Sequence, residues 1–160
     1  MNTDGSDAGA CLSPDGLSLY FPARREEGYG EGDLWVSTRE ATDQMFGTPT
    51  NLGGLINSDR KESSPHISDD GLELWFASER YGGLGKRDIW FSRRASTNDQ
   101  FGRPQHAGDE INSSADEESP TLTSGGRLLF FESTRSPRRG ETTMETIWSS
   151  EWNSSAATNE

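Results

Sequence analysis

The sequence is short of the groups that carry out chemistry. Its 160 residues include one cysteine, Cys11, and two histidines, His66 and His106. A single cysteine excludes an internal disulfide and a multi-cysteine zinc site. A Ser-His-Asp triad needs a histidine at its centre. His66 occupies a strand start where Cys11 and Thr121 stand in the other repeats, and His106 falls in a linker. All three read as structural or surface groups. No Gly-x-Ser-x-Gly elbow, His-Glu-x-x-His pair or phosphate-loop lysine motif is present. No apolar run approaches the ~18 residues of a membrane span. Residues 1–10 lack the basic start and apolar core of a signal peptide, so export would need a signal outside this chain.

Basic residues are also scarce. Lys and Arg number 15 against 27 Asp and Glu, giving a net charge of −12 and a pI near 4.6. Affinity for a phosphate backbone comes from clustered Lys and Arg, so no nucleic-acid partner is expected. The basic spots Lys86-Arg87, Arg93-Arg94 and Arg138-Arg139 are short and set among acids. Asp109, Glu110, Asp116, Glu117 and Glu118 gather oxygens of the kind calcium prefers, but without EF-hand spacing. They read as a solvated junction, with calcium kept as the alternative and no cofactor expected. Among so many carboxylates, a glycosidase pair cannot be recognised from sequence. The run Ser68-Asp69-Asp70-Gly71 lacks the residue that a sialidase Asp-box places between Asp and Gly.

Apolar types make up only 29%, and the 18 glycines do not lift the total to the usual ~45–50%. Low apolar content with high net charge leans towards disorder. Five Trp, three Tyr and seven Phe argue the other way, because most of them recur at fixed positions. The reading is a folded, thinly cored, soluble protein.

What the chain does contain is a repeat. Gly16, Gly71 and Gly126 are 55 residues apart, as are Arg25, Arg80 and Arg135. Trp35 and Trp90, Phe46 and Phe101, Pro49 and Pro104, Asn57 and Asn112, and Pro65 and Pro120 share the interval. Such a period signals a solenoid, a propeller or an array. Each unit begins with a short strand, as at Pro65-His66-Ile67-Ser68, that runs into a turn. The turns are Pro14-Asp15-Gly16, Asp69-Asp70-Gly71 and Ser124-Gly125-Gly126, of which the Asp-Gly pairs are strong hairpin signals. A strand alternating in two follows: Leu17, Leu19, Phe21; Leu72, Leu74, Phe76; Leu129, Phe131. Its other face carries Tyr20, Trp75 and Phe130, so this strand is expected to lie between layers. A glycine-rich loop then leads to Asp33-Leu34-Trp35, Asp88-Ile89-Trp90 and Thr146-Ile147-Trp148. The third loop is three residues longer, since Trp90 and Trp148 lie 58 apart. Short fourth strands are expected near Pro49–Leu52 and Pro104–Ala107. No segment shows helical periodicity.

This order of elements resembles the WD40-like β-propeller repeat met in TolB-type periplasmic proteins and in repeats attached to outer-membrane peptidoglycan-binding proteins. The residues that carry it are Ser13-Pro14-Asp15-Gly16, Ser68-Asp69-Asp70-Gly71, the three arginines, and the Asp-(Leu/Ile)-Trp openings. Ile111-Asn112-Ser113 through Glu117-Glu118-Ser119-Pro120 looks like that family's junction between blades. The resemblance spans about residues 7–152 and departs at Thr146 and at Ser136-Pro137-Arg138-Arg139. It implies an interaction platform more often than an enzyme, in the periplasm or outside the cell.

The expected fold is all-β, an open arc of three consecutive four-stranded antiparallel blades with the third incomplete. Blade 1 covers about 7–56, blade 2 about 62–111 and blade 3 about 117–152, with residues 1–6 and 153–160 as disordered tails. Closed propellers need four to eight blades. The arc should therefore belong to a larger propeller or self-associate through its end blades, two arcs making a ring. Asp15, Gly16, Arg25, Asp33, Trp35, Asp70, Gly71, Arg80, Asp88, Trp90, Gly126, Arg135 and Trp148 are read as structural repeat positions. Arg80 and Asp88, like Arg25 and Asp33, flank one loop and are expected to meet across it. Trp90 should be the most buried of the repeated tryptophans. The expected function is a non-catalytic protein-interaction module with a protein partner. A carbohydrate-active propeller is the alternative, to be recognised by exposed aromatic rings and two carboxylates around a pocket.

Overall fold

The computed structural model describes residues 9–135 and 146–152. The expectations for both tails and for residues 136–139 lie outside the described residues. The chain forms three antiparallel sheets and no helix among the described residues. In the first sheet, β1 (Cys11–Leu12), β2 (Ser18–Ala23), β3 (Asp33–Thr38) and β4 (Thr50–Asn51) pair in chain order. The second repeats that order with β5 (Glu62–Ile67), β6 (Glu73–Ser78), β7 (Asp88–Arg93) and β8 (Gln105–His106). The third holds β9 (Glu117–Leu122), β10 (Leu128–Ser133) and β11 (Thr146–Glu151), and no fourth strand among the described residues. The arc is open.

The hairpins follow from their turn chemistry. Gly16 and Gly71 both take φ +72°, a backbone state that side-chain-bearing residues rarely adopt. The Ser13 and Ser68 hydroxyls each donate to the turn aspartate, Asp15 or Asp70, at 2.6 Å. The same carboxylates accept the Leu17 and Leu72 N–H groups at 2.9 Å. These bonds from Ser13 and Leu17 hold the Asp15 carboxyl below its ordinary pKa.

The inner strands differ from expectation at their starts. β5 begins at Glu62, ahead of Pro65, and its pairing with β6 shifts register between Ser63 and His66. Ser64 and Ser119 take φ +50° and +53°, and Gly9 takes +85° at the same repeat position. Proline cannot donate to a ladder, so Pro65 and Pro120 are accommodated at these irregularities.

The core lies between sheets. Leu74, Phe76, Trp90, Ile67 and Phe101 on one face of the second sheet pack against Tyr20, Leu34 and Ile56 of the first repeat. Its other face presents Trp75, Ile89, Phe91 and Ile111 to Leu122, Leu129 and Phe131 of the third. Trp90 is buried at 8% exposure, but Trp35 is slightly more buried at 5% and Trp75 is wholly enclosed. The reason is layering. Trp75 faces the third sheet, which covers it, whereas Trp90, on the opposite face, is capped in part by the Arg80 guanidinium and the His106 ring.

Candidate functional site

Two polar constellations are built at each junction, and both are structural in geometry. The first centres on Glu62, fully buried at the start of β5. The Ser58 N–H and hydroxyl donate to its carboxylate at 3.0 and 2.6 Å, and the Ser78 hydroxyl donates at 2.7 Å. Arg80 Nη2 donates to Glu62 Oε1 at 3.2 Å and to the Ile56 carbonyl at 2.5 Å. Desolvation pulls the Arg80 pKa down and the Glu62 charge opposes it. Glu117 repeats the node one blade later with Ser113, Ser133, Arg135 and the Ile111 carbonyl. A buried carboxylate is tolerated only when paired and hydrogen-bonded, as here. Glu117 thus has its oxygens engaged by protein donors. Among the described residues no group of three or more His, Cys, Asp and Glu is placed to hold a metal ion.

The second constellation corrects the expected ion pair across the loop. Arg80 turns to Glu62, and Asp88 instead accepts the Leu84 and Gly85 N–H groups at 3.2 Å. Asp33 does the same for Tyr29 and Gly30 at 2.7 and 3.1 Å, and also accepts from Asn51 at 2.6 Å. A carboxylate that gathers loop N–H groups fixes the loop more directly than a pair at its rim would. Asn57 and Asn112 tie each loop's strand to the following junction: their side chains bond both the N–H and the carbonyl of Leu34 and Ile89. Gly30 and Gly85 complete the lock. A Cβ at either would collide with junction carbonyls, of Arg60 and Ser58 or of Ala115 and Ser113, so only glycine allows the approach.

Several concave places remain, one of them lined by Asp69, Asp70, Glu73 and Trp152 beside the hairpin turns of β5–β6 and β9–β10. Between the second and third sheets, a recess of about 260 Å³ is lined by Arg87, Asp116, Glu118, Glu132, Ser133 and Thr134. Arg87 is paired there with Glu118 and with Glu79, the latter at 3.0 Å, and no aromatic ring lines the recess. Along the inner strands, Cys11, His66 and Thr121 meet Ser64, Pro65 and Pro120 around about 220 Å³. Burial pushes the Cys11 thiol up, the Ile67 backbone opposing, which disfavours the thiolate form.

The exposed side chains are concentrated elsewhere. The β2–β3 loop meets the β4–β5 junction at Gly30, and the segment after β6 reaches the same junction through Arg80 on the Ile56 carbonyl and Tyr81 on Arg60, which puts the three on one face of the arc. That face displays Tyr29, Leu55, Tyr81 and Leu84. Arg60 stacks on the Tyr81 ring at 4.7 Å and hydrogen-bonds its hydroxyl. The sequence pointed to none of these five, because Leu55, Arg60 and Tyr81 do not recur; their counterparts are Glu110, Ala115 and Ser136.

The arrangement of sheets has counterparts among solved structures. A putative TolB from Agrobacterium tumefaciens aligns with a TM-score of 0.57 and 20% identity over 82% of this chain and 40% of its own. TolB from Acinetobacter baumannii aligns with a TM-score of 0.52 and 16% identity over 87% of this chain and 29% of its own. The fold is that of a TolB-type β-propeller. The chain spans well under half the length of either TolB protein. No protein-family model and no curated protein matches the sequence. In propeller terms the three sheets are consecutive blades, and the Glu62 and Glu117 nodes sit where one blade hands over to the next.

Proposed function

We propose that this chain is a non-catalytic interaction module, a WD40-like propeller segment that binds a protein partner in the periplasm or outside the cell. The observation that carries the reading is the division of labour among its polar and aromatic groups. The carboxylates and arginines of the Glu62 and Glu117 nodes are consumed in holding blades together. Trp35, Trp75 and Trp90 are buried between or beside blades. The Tyr29–Leu55–Arg60–Tyr81–Leu84 face is left to meet other molecules, and Tyr and Arg are the residue types that dominate protein-binding hot spots. The TolB-type fold supports the location and the class of partner by resemblance. The reading needs no cofactor. A glycan-cleaving propeller draws less support, because the Arg87 recess offers no ring on which a sugar could stack, and in the recess where Trp152 stands beside Asp69, Asp70 and Glu73 that ring is packed edge-on against Trp75 and Phe91.

The test is affinity capture from the source cell's envelope with the chain immobilised. The double variant Tyr29→Ser/Tyr81→Ser should keep the wild-type melting temperature and lose at least about tenfold in retention of the captured partner. Hydrolysis of glycans by the purified chain, or unchanged capture by the double variant, would refute the reading.

A further inference from the structure

The two internal blade contacts show what this repeat does with its apolar faces, and among the described residues the two end blades carry the same faces only partly covered. In blade 2 the leading face is Ile67, Leu74, Phe76, Trp90 and Phe101, seated on the trailing face of blade 1, Tyr20, Leu34, Val36 and Ile56. In blade 3 the leading face is Leu122, Leu129, Phe131 and Trp148, seated on Trp75, Ile89, Phe91 and Ile111. The leading face of blade 1 has the same register: Leu12, Leu19, Phe21, Trp35 and Phe46. Phe21 and Trp35 are capped by the Arg25 guanidinium, at 5.9 and 5.1 Å. Leu12 is 48% exposed where Ile67 and Leu122 are 4% and 7%, and Leu19 and Phe46 are only half-buried. At the other end, Phe130 is 37% and Ile147 is 73% exposed, where Trp75 and Ile89 are fully covered. Each open face is thus complementary to the other by the rule the chain applies twice internally.

We infer that the trailing face of blade 3 in one copy of this chain docks on the leading face of blade 1 in a second copy, head to tail. Phe130 and Ile147 then cover Leu12, Leu19 and Phe46 as Trp75 and Ile89 cover Leu122 and Leu129. Two copies present two such contacts related by a two-fold axis, and three blades from each make six, within the four to eight of closed propellers. The contact is weaker than the internal ones for a visible reason. Ser149 stands where Phe91 and Val36 supply apolar surface in the blades before it. The inference concerns the arc's ends and does not rest on the loop-face reading.

Sedimentation velocity on the 160-residue chain, from low to high micromolar, tests it. The wild type should pass from monomer to dimer and stop there. Leu12→Glu and Ile147→Asp each change an exposed side chain, so melting temperature should hold while dimerisation weakens at least about tenfold. Ser149→Val should strengthen it by about tenfold. Because the contact joins unlike faces, mixing Leu12→Glu with Ile147→Asp should give a mixed dimer through the one intact contact, which neither variant forms alone. A chain that stays monomeric throughout would overturn the proposal, as would a dimer indifferent to Leu12→Glu or one that only Leu12→Glu dissociates.

Discussion

Blades 2 and 3 share the apolar pattern of their middle strands and differ sharply in burial. Leu74, Trp75 and Phe76 on β6 are all fully buried, whereas on β10 Leu129 and Phe131 are buried and Phe130 between them is 37% exposed. The local structure is the same: both strands pair antiparallel on both sides, and both inner partners carry the same irregularity beside a proline. What differs is the neighbour. Blade 2 is covered on both faces, blade 3 on one among the described residues. A repeat therefore specifies its strands by itself, while its burial is set by contact with the next unit.

The largest effects should expose that difference directly. Trp75→Ala should cost about 3–5 kcal/mol, and Phe130→Ala at the equivalent position under about 1 kcal/mol, by urea unfolding. Equal losses would mean that blade 3 is as well covered as blade 2. The polar nodes should behave oppositely. Glu62→Ala strands Arg80, Ser58 and Ser78, and Glu117→Ala strands Arg135, Ser113 and Ser133. Each should cost about 3–5 kcal/mol, and the two losses should match. A mild Glu117→Ala beside a severe Glu62→Ala would show that the nodes too depend on position in the arc.

The fold was legible because its signals are local. Asp-Gly turns, period-two alternation and a fixed interval do not depend on what packs where, and they indicated strands, hairpins and three units. The nodes were less legible. Glu62 and Glu117 are also 55 apart, as are Ser58 and Ser113, and Ser78 and Ser133, so a signal existed. It was hidden because glutamate and serine usually mark solvated junctions, and only the structure shows them buried. The Arg80–Asp88 expectation failed for a related reason. Proximity in sequence suggested a pair, but the nearest donors to Asp88 are the N–H groups of its own loop. Trp152 is the clearest tertiary substitution. Blade 3 lacks a counterpart of Phe101, which packs edge-on against Tyr20; Trp152 takes that place against Trp75 at 4.6 Å. The exposed tyrosine face broke the repeat, and a reading built on what repeats passes over what does not.

A middle-sized effect sharpens the loop comparison. Asp88→Ala removes the acceptor for Leu84 and Gly85 and should cost about 1–3 kcal/mol. Hydrogen exchange should then rise across residues 79–87, with β5 and β6 protected. If exchange rose across the whole of blade 2 instead, the carboxylate would be holding the blade and not merely its loop.

The smallest effect lies on the inner strands, where the repeat puts Cys11, His66 and Thr121 at one position. Partial burial lowers the His66 pKa from its ordinary 6.5, and the Asp69 charge opposes the change. Asp69 stays ionised in this range, since the Ser124 hydroxyl and Gly125 N–H hold its own pKa down. The unfolded chain therefore takes up a proton at His66 more readily than the folded one. The contribution is fully present above the unfolded value of 6.5 and declines as pH falls below it, until the folded group protonates as well. The decline should be under about 1 kcal/mol, because the ring is only half-buried. Urea midpoints at pH 7.5 and pH 5 measure it, with the background of other groups removed by comparison to a variant. His66→Thr places the blade 3 residue in blade 2 and should flatten this part of the profile while leaving stability at pH 7.5 within about 0.5 kcal/mol. A variant with an unchanged slope would show that His66 does not set this part of the profile.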